Sequence, residues 1–337
     1  MNNSADEFNS DVPDSNQGGS RLLLLLNIMA LASVAIANLL GLFGNTHWIF
    51  DLANCPRVQY LIVCLAALSL SLMTWRPKLA IVAFVLLLLN AIPVANYYRP
   101  YGGGETTTQN PSSSVRFLTF NVLSSNSNYD EVITWIQDQT PDVIAILEVN
   151  QDWADELERL SAEYPYFKIE PRNSNFGLAM FSRIPCESIE VLEGDGQHYP
   201  MIKARINTQD GPTTLVATHP CPPLNSTRYR SRRTNLENAL QALGSDGPRI
   251  LTGDFNLVPW SPLFSELCDK GELHDASLGF GVRPTWHLFP SLLGGIRIDH
   301  LLTSNSIRTQ SFSIGPNMGS DHRPIIFDLR IGADLGQ

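Results

Sequence analysis

The sequence predicts a layered α/β sandwich standing behind three apolar helices of membrane-spanning length. Three features predict it. The first hundred residues hold three uncharged runs, 22–43, 58–75 and 79–98, each near the roughly 20 apolar residues that cross a bilayer. From residue 115 onward, short apolar runs of strand length alternate with segments whose apolar residues recur at helical spacing. That mixture builds a single α/β domain. Several of the strands end in a carboxylate, amide or imidazole, at a sheet edge, where loops on a rigid scaffold commonly carry function.

Residues 1–20 are polar without apolar periodicity and read as a disordered tail. The first run is preceded by Asp6, Glu7, Asp11 and Asp14, with only Arg21 beside it. It lacks the positive flank of a cleaved signal, although Ala35-Ile36-Ala37 resembles a cleavage site. An uncleaved anchor is expected. Residues 21–98 form the three-helix region, with Trp48, Tyr60, Trp75, Tyr97 and Tyr98 near the run ends as interfacial anchors. Arg21, Arg76 and Lys78 on one side outnumber Arg57 and Arg99 on the other. The expectation is a multi-pass integral membrane protein with its N-terminus inside and its C-terminal domain outside the cytoplasm. Residues 99–114, rich in Gly, Thr, Ser and Pro, read as a flexible linker.

The domain expected over 115–331 begins with a strand at 116–121. A helix follows at 129–138, on the face of Val132, Trp135 and Ile136. The buried run 142–148 exits at Glu148. Strands are expected at 176–182, 201–206 and 214–218, the last delivering His219. A helix over 231–243 carries Leu236, Ala239, Leu240 and Leu243 on one face. A strand at 250–256, a helix near 262–268, and strands at 296–302 and 324–329 complete it.

Residues 116–337 carry 18 Lys and Arg against 27 Asp and Glu. A field of that sign opposes indiscriminate binding to nucleic acid, and a divalent cation would locally reverse it. Cys186, Cys221 and Cys268 have neither zinc spacing nor a disulfide framework. The polar strand ends are Asn121, Glu148, His219, Asp254, Asn256, Asp299, Asp321 and His322. Asp254 and Asn256 stand two apart, which at strand spacing points both to one side. Singly, each suits a turn, a cap or a surface ion pair. Together they require too many coincidences for that.

In order and context these residues resemble the endonuclease/exonuclease/phosphatase superfamily. The matching pieces are Thr119-Phe120-Asn121-Val122, Ile146-Leu147-Glu148, Gly177-Leu178-Ala179, Thr218-His219, Gly253-Asp254-Phe255-Asn256, Ile298-Asp299-His300 and Ser320-Asp321-His322-Arg323-Pro324. The resemblance implies a four-layered α/β sandwich and Mg²⁺- or Mn²⁺-dependent hydrolysis of a phosphate ester by an activated water. It implies Glu148 as principal metal ligand, with Asn121 and Asp321 in support. Asp254 would prepare the water, Asn256 and His219 would hold the phosphoryl group, and Asp299 would orient His322. Leu123 stands where some members carry a further acid. Trp286 reads as a packing residue, and Arg228 and Arg230 as phosphate-binding candidates in a cluster with Arg232 and Arg233.

The function expected is therefore that of a membrane-anchored hydrolase, a phosphodiesterase, endonuclease-like enzyme or phosphatase. Its substrate would be nucleic acid, a phospholipid head group or a small phosphodiester, and no protein partner is implied. The alternative is a catalytically inactive phosphate- or partner-binding domain of the same fold on a membrane anchor. A transporter ranks last, because the apolar runs hold no Asp, Glu, Lys, Arg or His.

Overall fold

The computed structural model describes residues 15–99, 114–195, 199–287 and 294–332. The expected tail up to residue 14 and nearly all of the expected linker lie outside these residues. Helix α1 (Ser15–Gly41) already includes residues 15–20. The short α2 (Trp48–Leu52), then α3 (Arg57–Met73) and α4 (Pro77–Ala95) follow. Gly19–Gly41 and Pro77–Tyr98 are long and apolar enough to cross a membrane, whereas α3, with 17 residues, is shorter. Three spanning helices were expected; two meet the criterion. The chain forms two compact units, one of Met1–Ile36 and Val58–Asn90, the other of Ala37–Arg57 and Ala91–Gln337. In the first, Cys64, Ala67 and Ala83 pack against Leu31, Val34 and Leu86, small residues allowing close helix approach.

In the second unit β1 (Ser114–Asn121), α5 (Tyr129–Gln139), β2 (Val143–Leu147), α6 (Gln151–Leu157), β3 (Tyr166–Glu170) and β4 (Leu178–Ser182) come first. Then come β5 (Cys186–Glu193), β6 (Pro200–Thr208), β7 (Gly211–Thr218), α7 (Ser226–Leu243), β8 (Arg249–Asp254), α8 (Pro262–Gly271) and β9 (Leu273–Asp275). β10 (Trp286–His287), β11 (Gly295–Ile296), β12 (Asp299–Ser304), β13 (Ile307–Ile314) and β14 (Ile325–Ile331) end it. One six-stranded sheet has the order β13-β14-β1-β2-β4-β3, the other β5-β6-β7-β8-β12-β9.

The period-2 alternation of each strand sorts its side chains between two cores. Phe117, Val143, Ala145 and Leu178 face Ile202, Ala204, Leu215 and Ile250 between the sheets. The residues next to them, Leu118, Phe120, Ile144 and Ile146, pack outward on Val132, Ile133 and Ile136 of α5 and on Trp153 and Leu157 of α6. On the far side Val216, Leu251 and Leu302 pack under Leu236 and Ala239 of α7 and Leu263 and Phe264 of α8. The result is a mixed α/β sandwich, helices outside and two sheets inside. A Thr119–Thr252 hydroxyl bond of 2.7 Å joins the sheets near the edge where the polar strand ends meet.

Candidate active site

Strand register brings the polar residues to that edge. β1 runs parallel to β2 with Asn121 opposite Leu147, so Glu148 emerges beside Asn121. β7 runs parallel to β8 with Ala217 opposite Thr252, which leads His219 towards Asp254. Antiparallel pairing sets Asp299 directly opposite Asp254. β14 pairs with β1 up to Thr119–Ile325, and the loop before it carries His322 inward. Ser320 fixes that loop, its Oγ donating to the Asn121 carbonyl at 2.8 Å and accepting from the His322 amide at 3.0 Å.

The side chains form one network. Asn121 Nδ2 donates to Glu148 Oε1 at 2.9 Å and to Asp254 Oδ2 at 3.2 Å. Asp254 Oδ2 lies 3.3 Å from His219 Nε2 and 3.5 Å from His322 Nε2. His322 Nδ1 is 2.8 Å from Asp299 Oδ2. Asn256 Nδ2 lies 3.4 Å from His219 Nε2 and donates to the Pro220 carbonyl at 3.0 Å. Seven of the expected residues therefore converge.

The backbone here is strained. Glu148 has φ 64° and Asn256 φ 50°, in the left-handed region that non-glycine residues seldom adopt and that clusters at functional sites. Gly253 has φ 144°, and a Cβ there would lie 1.9 Å from the Thr218 carbonyl oxygen. Only glycine lets β8 come this close to β7. Gly253→Ala is expected to destabilise the protein by roughly 3 kcal/mol or more. Thermal unfolding of the full-length protein checks this; an unchanged midpoint would refute the close approach.

Three buried carboxylates meet here with imidazoles as their neighbours. Burial opposes ionisation of Asp254, but His322 and His219 outweigh it and hold the carboxyl below its usual range. Burial likewise opposes charge on His322. The Asp299 and Asp254 carboxylates overcome it and raise the imidazolium to about 10. His219 is raised as well, its bond to Asp254 outweighing burial. Burial raises Asp299.

A cation fits at Glu148. This carboxylate is 7% exposed and has no ion-pair partner among the described residues. Among the described residues its oxygens accept from Asn121 and, at 3.3 Å, from the Ser124 amide. Buried carboxylates are normally paired or coordinate a metal, and oxygen donors suit a hard divalent ion. Asp254, Asp299 and His322 also bring ligand atoms within 4.8 Å of one another. In that group both His322 ring nitrogens already face carboxylates, Nδ1 on Asp299 and Nε2 towards Asp254.

Other expectations fall outside the network. Asp321 is exposed, and its carboxylate accepts from Trp286 Nε1 at 2.8 Å. Trp286 is accordingly a half-exposed rim residue, bridged through its backbone to His322, instead of an interior packing residue. Arg228 and Arg230 are exposed on the first turns of α7 and make no ion pair among the described residues. Arg233 pairs with Glu266 at 2.6 Å, while Arg232 is wholly buried and donates to the Asn256 carbonyl. Thr285, next to Trp286 in the chain, supports Asp299, its Oγ1 accepting from the Asp299 amide at 3.2 Å.

The Endonuclease/Exonuclease/phosphatase family profile matches residues 118–322. No curated protein matches the sequence. Among solved structures, a D. rerio TDP2 complexed with single strand DNA product is similar at 16% identity and TM-score 0.54, over 65% of this chain and 99% of that one. The human Nocturnin catalytic domain with bound sulfate anion is similar at 17% identity and TM-score 0.54, over 65% and 94%. A Bacteroides vulgatus endonuclease/exonuclease/phosphatase is similar at 19% identity and TM-score 0.53, over 65% and 100%. These likenesses concern the fold, and the profile covers more than half of the chain. This protein belongs to the endonuclease/exonuclease/phosphatase family, whose members are generally metal-dependent phosphoester hydrolases.

Proposed function

We propose that this protein is a membrane-anchored, Mg²⁺- or Mn²⁺-dependent hydrolase of phosphate esters. The observation that carries the reading is the convergence of Asn121, Glu148, His219, Asp254, Asn256, Asp299 and His322 through hydrogen-bonding distances. The cation, when bound, supplies Lewis acidity and a template for a phosphoryl oxygen. Glu148 would hold it, and Asn121 bridges Glu148 and Asp254 at fixed spacing. Asp254, ionised across neutral pH, orients a water and accepts its proton as attack proceeds. Asn256, His219 and the protonated His322 present N–H groups to non-bridging oxygens. Asp299 fixes the His322 tautomer. Asp321 and the exposed Arg228 and Arg230 are assigned to the rim, Asp321 assisting the cation or leaving group and the arginines meeting substrate phosphate.

The substrate class is a phosphate ester: nucleic acid, a phospholipid head group or a small phosphodiester. The single strand DNA product and the sulfate in the two solved neighbours support phosphate-bearing ligands. A multi-pass anchor with the catalytic unit outside the cytoplasm belongs to this proposal, its side taken from Arg21, Arg76 and Lys78 against Arg57 and Arg99. Ala37–Arg57 and the segment from Ala91 both belong to the unit of the sandwich. Residues 58–90 therefore leave that unit and return to it. Arg57–Met73 is read as a further crossing, at the short end of the workable range.

The test is full-length protein in detergent, offered bis(p-nitrophenyl) phosphate, single-stranded DNA and phospholipid vesicles. Hydrolysis of at least one is expected to fall to background with a chelator and to return with Mg²⁺ or Mn²⁺. A folded protein inactive on all three would sink the hydrolase reading.

A further inference from the structure

Asp51 of α2 is buried and pairs with Arg232 of α7 at 2.5 Å. The same guanidinium donates to the main-chain carbonyl of Asn256. Ser261 Oγ donates to the other Asp51 oxygen. Two more bonds hold the stretch between the first two apolar helices to the sandwich: Tyr229 Oη donates to the Gly44 carbonyl at 2.9 Å and Trp260 Nε1 to the Asn54 carbonyl at 2.6 Å. All of these residues belong to one compact unit.

Arg232 has no exposed surface, and an unpaired buried guanidinium is strongly unfavourable. It can lie beneath the site because Asp51 is there. Asn256 in turn sits at φ 50°, a conformation that persists only where its surroundings over-determine it. The Arg232 bond is one of those constraints. Others are the Asn256 amide bond to Asp254 Oδ1 at 2.9 Å and the Asn256 side-chain contacts to the Pro220 carbonyl and His219 Nε2.

We propose that Asp51 is a positioning residue: through Arg232 it holds the Asn256 peptide, which makes the stretch between the first two apolar helices part of the hydrolytic site. Its kinetic consequence rests on the proposed hydrolase activity. Loss of that stretch from the sandwich strands Arg232 and releases Asn256. The anchor region is then a determinant of catalytic competence as well as a tether.

The test uses the full-length protein in detergent with Asp51→Leu, Arg232→Met and the two combined. Either single change is expected to lower the unfolding midpoint sharply, and the double change to recover most of it, since both charges are gone. In the recovered double variant kcat is expected to stay down by about a hundredfold, the scale of a small misplacement in a site, with KM little changed. Amide hydrogen exchange over residues 255–257 is expected to quicken, while strand 143–147 stays protected. A folded double variant with wild-type kcat or wild-type exchange overturns the proposal, because the pair would then only fasten the loop. If the wild type hydrolyses nothing, the hydrolase reading fails by itself and the exchange at 255–257 alone decides. If the double variant does not fold, Asp51→Asn takes its place, keeping the shape of the side chain while removing the charge that pairs with Arg232. Quicker exchange over 255–257 in that variant supports the proposal, and unchanged exchange overturns it.

Discussion

Asp254→Ala in the full-length protein is expected to lower cation-dependent hydrolysis by roughly 10²–10⁴-fold, the contribution of a positioned acid–base group. The reason is geometric. Asp254 Oδ2 is the atom on which Asn121, His219 and His322 all converge, and its Oδ1 accepts from the Asn256 amide. Truncation removes the carboxylate proposed to prepare the water and leaves two imidazoles without their shared carboxylate. Asp254→Asn separates these effects. It preserves shape and the Oδ1 contact but cannot take a proton, so its rate should fall almost as far while its unfolding midpoint stays closer to wild type. Steady-state rates at saturating substrate, beside thermal unfolding of all three proteins, provide the check. An Asn variant that works at the wild-type rate would remove Asp254 from proton transfer and leave it a structural acceptor.

The interiors of the two sheets are legible in the sequence and their edges are not. β3, β5, β9 and β13 are the four outermost strands, and none is among the expected elements. Cys186–Glu193 carries an acid at every third position and is only partly buried, as suits a strand with one unpaired flank. Leu273–Asp275 is three residues long, too short for a period to register. Helix α7 starts at Ser226, more than one turn before its expected start at residue 231, because Asn225 caps it by accepting from the Arg228 amide. The site is legible for the opposite reason: Asn121, Glu148, His219 and Asp254 end or follow buried apolar runs, Asp299 opens one and His322 shortly precedes another, so apolar content and polar terminus are read together. Asp51 is not legible, being 181 positions from its partner in a stretch that reads as a mere connection. Arg232 looks like its neighbours in an arginine cluster. Only helical register separates it, since it shares a face with Leu236, Ala239 and Leu243.

Asp299→Asn is expected to move the alkaline limit of activity downward and to reduce the rate at neutral pH. His322 is raised from 6.5 to about 10 because the Asp299 and Asp254 carboxylates overcome its burial. In the wild type the ring is an imidazolium through the whole neutral range, and activity that needs its N–H should persist until the pH nears 10. An opposite charge within a few ångströms is worth about 1–3 pKa units, so replacing Asp299 brings the His322 titration down by that order and deprotonates part of the population nearer neutrality. The sign for stability is the same. Because the folded value lies above the unfolded one, the pair's contribution is complete below about 6.5 and fades as the pH rises through about 10. The wild type should therefore lose stability across that window, and Asp299→Asn should lose less over it while starting lower. Rate profiles from pH 6 to 10 at fixed cation, paired with unfolding midpoints over the same range, test both halves. If the alkaline limb of the variant coincides with that of the wild type, His322 does not act in its charged form, and the phosphoryl group must be met by His219 and Asn256 alone.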